Sequence, residues 1–121
     1  MAAATATPTV VSTDWTGNEL IVRGTVAFSA AADTYTTKGV PMSFAGVQSG
    51  SLPTEVRFYV TSAPTNLYYY NYAAGTTQAN GAVQIFTGAA AQTGLTEYTS
   101  GSALTNPFLD SISFVAYFPR L

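Results

Sequence analysis

Apolar and polar residues alternate along most of this chain with a period of two, the signature of strands with one buried face. Residues 19–29 (ELIVRGTVAFS) hold the longest clean run. Leu20, Val22, Val26 and Phe28 share one face with Gly24 in phase between them, and Ile21, Arg23, Thr25 and Ala27 share the other. Residues 110–118 (DSISFVAYF) repeat the pattern, with Ile112, Phe114, Ala116 and Phe118 in one column and Pro119 as the stop. In residues 55–61, Val56, Phe58 and Val60 alternate with Arg57, Tyr59 and Thr61; in residues 82–87, Val83 and Ile85 alternate with Gln84 and Phe86. Residues 67–72 differ, because Tyr68, Tyr69, Tyr70 and Tyr72 put rings on both faces. Such a strand needs partners on both sides, or offers a surface to another molecule.

Shorter runs at residues 9–15, 40–44 and 95–99 bring the expected total to seven or eight strands, with Pro41 consigning its run to an edge. Gly, Asn and Pro punctuate the gaps, as at Thr16-Gly17-Asn18. A helical turn at residues 89–92 is the one helical option. The three runs between residues 55 and 87 predict an antiparallel meander, and Gly24 predicts a bulge or bend in its strand. Residues 1–8 (MAAATATP) read as a flexible N-terminal arm, followed by a single domain over residues 9–121. The pattern predicts an all-β fold, an antiparallel β-sandwich or a barrel, with Val22 and Phe28 in its core.

Composition narrows the chemistry. Charged residues make up 8% of the 121 residues, against about 25% in ordinary domains. The net charge of −2 supplies no basic face for nucleic acid. Cysteine and histidine are both absent, which removes disulfides, thiolate chemistry and the commonest general base and metal ligand. No apolar run approaches the roughly 20 residues of a membrane span. Residues 1–7 lack the basic flank and apolar centre of a signal peptide, so synthesis in a cytoplasm is expected. Solubility then rests on hydroxyls and amides, a surface suited to packing against other subunits and equally to an extracellular adhesive module.

Few residues invite a chemical reading. Asp14, Glu19 and Asp33 could be considered as glycosidase carboxylates, but they sit by different turns with no second polar cluster, which fits solvated charges better. Asp33 with Thr34 and Thr36 is too sparse for calcium. Trp15 fits a core or edge plug. Arg57 and Arg120 suit ion pairs across a subunit contact, or plain solvation. The tyrosines of residues 68–72 fit core or subunit interface ahead of a stacking platform for a sugar or peptide. No catalytic residue, cofactor site or metal site emerges.

Taken in order, LIVRGTVAFS, DTYTTKGVPMSF, VRFYV, YYYNY, AVQIF and SFVAYF resemble the small structural proteins of tailed bacteriophages typically encoded beside the major capsid protein. The likeness spans most of residues 20–118 and is one of pattern and order. Where relatives often have an Asp-containing turn and a basic strand, this chain has AAGTTQANG and a strand without lysine. Members of that group act as head decoration or cement proteins. The resemblance implies a jelly-roll-like sandwich, self-association as a homodimer or homotrimer, and attachment to the major capsid protein on the outside of the virion. The expected interface residues are Tyr35, Lys38, Tyr68, Tyr70, Tyr72 and Arg57, with the arm at residues 1–9 and the loop at residues 33–44 as the main contacts. The alternative is a carbohydrate- or receptor-binding β-sandwich module of a phage tail or adhesin.

Overall fold

The two strongest alternating runs become neighbours. β2 (Glu19–Phe28) and β8 (Ser111–Pro119) pair antiparallel from Glu19 opposite Pro119 to Val26 opposite Ile112. The computed structural model describes residues 2–45, 52–61, 68–88 and 95–119. Their apolar columns share one face, so Leu20, Val22, Val26 and Phe28 lie buried beside Ile112, Phe114, Ala116 and Phe118. Val22 and Phe28 are in the core, as the alternation predicts.

β1 (Ala6–Thr16) joins the other side of β2 through a turn at Gly17, whose φ of 52° is accessible to glycine at little cost. β4 (Glu55–Thr61) joins the other side of β8, giving a four-stranded half in the order β4-β8-β2-β1. The second half is centred on β6 (Gly81–Gly88). β5 (Tyr68–Ala73) pairs with one of its sides, and β3 (Val40–Met42) and then β7 (Leu95–Glu97) follow one another along the other. A short 3-10 turn at Pro107–Leu109 precedes β8.

The halves are formally one mostly antiparallel eight-stranded sheet, but they join through a single parallel pair, Ala6 opposite Met42. At the far margin β4 and β5 approach within 8 Å between Cα atoms with no ladder among the described residues. The result is nearly a barrel. Across its interior Phe28 meets Tyr70 at 6.3 Å between ring centroids, while Phe44 packs on Phe114, Phe118 and Tyr72 at 5.4–5.7 Å. Burying large apolar side chains of this kind contributes about 1.5–3 kcal/mol each.

Two expectations are corrected. First, the run over residues 55–87 is not a meander: β5 pairs with β6, but β4 pairs with β8. Register explains the exchange. Val56, Phe58 and Val60 of β4 fall opposite Ala116, Phe114 and Ile112, and Tyr70 and Tyr72 of β5 fall opposite the smaller Ile85 and Val83. Each apolar column therefore continues into an apolar column of its neighbour, Phe58 meeting Phe114 and Val60 meeting Ile112 on one side, Tyr70 and Tyr72 meeting smaller residues on the other. The described strands form one curled, mostly antiparallel sheet. Second, the segment expected as an arm belongs to the sheet. Residues 6–8 are in β1, Ala4 and Ala6 are buried, and Ala4 donates its N–H to the Thr34 carbonyl while the Ala2 carbonyl accepts from Thr34. Small side chains let this segment pack tightly where larger ones would collide. The possible helical turn at residues 89–92 lies outside the described residues.

The bulge or bend expected in β2 is found in its partner strand instead. Val10 lies opposite Gly24 and Ser12 opposite Arg23, so Val11 is the extra residue of a bulge in β1. Glycine is required across from it. A Cβ at Gly24 would run into the Thr9 carbonyl and lie 2.9 Å from the Phe114 ring.

Candidate interaction surfaces

The six expected interface residues separate by burial. Tyr35 is 1% exposed and belongs to the core, which rules it out as a direct contact. Its hydroxyl donates to Glu97 Oε2 at 2.6 Å and accepts from the Ile85 N–H at 3.2 Å. Its ring meets Tyr98 edge-on at 5.6 Å. Burial, reinforced by the Glu97 carboxylate, raises its pKa well above the ordinary tyrosine value. Lys38 is exposed in a turn with φ of 81°, and its backbone N–H donates to the same Glu97 oxygen at 2.8 Å. Glu97 thus ties β7 to the loop before β3.

Tyr68, Tyr70 and Tyr72 all turn inward on alternate positions of β5, half-buried against the core. Tyr68 stacks edge-on with Tyr98 at 5.9 Å. Tyr70 donates to Asp110 Oδ2 at 2.7 Å, and its pKa rises strongly because burial disfavours the phenolate and the nearby carboxylate adds to the effect. The Tyr72 hydroxyl is buried with no hydrogen-bond partner among the described residues and leans on Gly81, where a Cβ would collide with it. Burial alone raises its pKa. Only Tyr69 faces outward, 52% exposed. The tyrosine run therefore reads by parity, with three rings feeding the core and one on the surface. Arg57 is exposed and engages Glu55 two positions back on the outer face of β4, beside exposed Tyr59.

The three acidic residues of the glycosidase reading are not gathered. Asp14 pairs with Arg23 at 3.5 Å near the β1–β2 turn, Glu19 begins β2, and Asp33 accepts from Ser29 Oγ at 2.5 Å by the opposite end of that hairpin. Among the described residues, no group of three His, Cys, Asp or Glu side chains converges on a point. The expected contacts at the arm and the loop bind each other: Thr34 bridges Ala3 on one side and Ala103 on the other, and the Leu104 N–H donates to the Asp33 carbonyl.

Two surfaces went unrecognised in the sequence. One is a cleft of about 310 Å³ where the β2–β8 ladder stops, lined by Phe28, Thr25, Ser111, Ser113, Asp110 and the half-exposed Phe108. The other is β1 itself. Every residue from 9 to 18 is exposed, including Val10 at 43%, Val11 at 72% and Trp15 at 51%. A strand in mid-sheet would bury alternate residues. β1 leaves β3 after Ala6, so nothing among the described residues pairs with its outer edge beyond that point. The β-branched content of residues 9–13 was visible in the sequence, but the loss of its second neighbour was not. Comparison with protein families, curated proteins and solved structures finds no match to this chain.

Proposed function

We propose that this protein is a non-enzymatic structural protein of a tailed-phage virion, a decoration or cement protein that binds the major capsid protein on the outside of the head. The reading starts from the sequence resemblance. The observation that carries it is how the few charges are used. Five of the six carboxylates have a partner within the chain: Asp14 with Arg23, Asp33 with Ser29, Glu55 with Arg57, Glu97 with Tyr35 and Asp110 with Tyr70. The exposed charges are thus mostly matched within the chain, and the rest of the surface carries hydroxyls, amides and single aromatics such as Tyr59 and Tyr69. Such a shell suits short-range, shape-matched attachment repeated over a lattice, where many weak contacts add through avidity. A jelly-roll-like description accompanies this function and draws support from the two half-sheets that face each other across the core and touch at one ladder pair.

The test is co-sedimentation of the purified chain with heads of its phage over rising NaCl. With four basic residues in the chain, long-range attraction is weak, so retention should change little between about 0.1 and 1 M salt. Absence from the capsid pellet, or steep release by salt, overturns the proposal. The cleft beside Phe108 favours one second reading, a glycan- or receptor-binding module, since an exposed ring beside a carboxylate and hydroxyls is the chemistry that sugars stack on and hydrogen-bond to. Retention on a glycan resin, reduced by Phe108→Ala, would support that reading.

A further inference from the structure

We infer that the outer edge of β1 over residues 9–16 pairs antiparallel with the same edge of a second copy of this chain, about a two-fold axis near Ser12 and Thr13. This goes beyond capsid attachment and does not depend on it. An edge strand presents a row of backbone N–H and C=O groups that another strand satisfies best. Among the described residues this edge has no ladder after Ala6 pairs with Met42.

The side chains agree with that occupant. Opposite Leu20, Val22 and Gly24 in register stand Trp15, Thr13 and Val10, which therefore share the core-facing side of the hairpin yet remain exposed. Among the described residues, apolar surface on that side continues into solvent at Val10 and Trp15. An antiparallel copy brings Trp15 of each chain toward Val10 and Val11 of the other, so both apolar ends are covered at once. Self-pairing meets little electrostatic resistance: Asp14 is the only charged residue between 6 and 18, and it is held by Arg23 at 3.5 Å. Of the devices that commonly protect edges, β1 lacks lysine and has no proline after Pro8. The bulge at Val11 is the exception, and it shortens the regular ladder on each side of the axis. A single eight-residue edge falls below the ~800 Å² per partner of a standard interface, so the dimer forms in the range of about 10–100 µM. Closed two-fold symmetry ends the assembly there.

Trp15 is the only tryptophan, so its emission reports on this edge alone. Sedimentation equilibrium and tryptophan emission would be followed together over a concentration series of the full chain. The expected result is a doubling of mass accompanied by a blue shift of Trp15, with both displaced at least about tenfold in concentration by Val11→Lys with Thr13→Lys, two exposed positions. A far-UV circular dichroism spectrum unchanged from the parent shows that the variant folds; if it does not, the coincidence of mass and emission in the parent chain decides alone. A monomer throughout overturns the pairing, as does a dimer whose formation leaves Trp15 emission unmoved. A chain that stays monomeric but shifts its emission on capsids assigns the edge to a strand of the capsid protein and likewise overturns self-pairing.

Discussion

Gly24 and the inward tyrosines show how much single positions decide here. Gly24 lies where the β1 bulge crosses β2, with the Thr9 carbonyl occupying the space of a side chain. Gly24→Ala must displace that carbonyl and the Phe114 ring, an overpacking cost of about 1–3 kcal/mol, measurable as a lowered urea midpoint. The tyrosines of β5 predict opposite outcomes for the same chemical change. Tyr70→Phe removes the donor to Asp110 and should cost about 1–2 kcal/mol. Tyr72→Phe deletes a buried hydroxyl that has no partner among the described residues, and should be neutral or raise stability by up to about 1 kcal/mol. Equal losses at both positions in chemical denaturation would contradict the inward orientation of β5.

At the level of elements, the first eight residues change meaning. Read as an arm, they could be removed at no cost to the fold. In the structure Ala4 and Ala6 are buried, Ala2 and Ala4 bond to Thr34, and Ala6 forms the one pair that links the two half-sheets. Deleting residues 2–8 should therefore lower the thermal midpoint by several degrees or more, as expected for a loss of 1 kcal/mol or greater in a domain near this size. An unchanged midpoint would restore the arm reading. The same deletion is unsuitable as a probe of capsid binding, since lost attachment would not be distinguished from lost fold.

For the whole molecule, the buried phenols set the response to alkali. Burial and neighbouring carboxylates raise the folded-state pKa of Tyr35 and Tyr70 above the unfolded value near 10. The folded state then keeps protons that the unfolded chain releases. Their contribution is fully present below about pH 10 and is lost as pH climbs beyond it, with a slope of up to about 1.4 kcal/mol per pH unit for each tyrosine. Urea midpoints from pH 8 to 11 should stay level and then fall, and the fall should be shallower in Tyr70→Phe. A level profile to pH 11 would mean these phenols ionise in place.

Local alternation by itself determined the all-β class, the positions of most strands and the buried columns of β2 and β8, because the pleat converts every second residue into one face regardless of neighbours. Gly24 pointed to an irregularity in its own strand, whereas the bulge lies at Val11 of the partner strand, which only the pairing shows. Which strands pair was settled only in three dimensions. β4 pairs with β8 in place of β5, and the alignment of two apolar columns is a property of two distant segments, not of either alone. The fate of the tyrosines followed from that choice: parity separates Tyr69 from Tyr68, Tyr70 and Tyr72, but only the position of the core says which set is inside. Tyr35 looked like a loop residue available to a partner, and became core because Glu97, 62 positions away, supplies an acceptor for its hydroxyl. The exposure of β1 was hidden for the same reason. A strand's sequence sets its own pleat, whereas an open edge is created by a neighbour that departs, as β3 does after Met42.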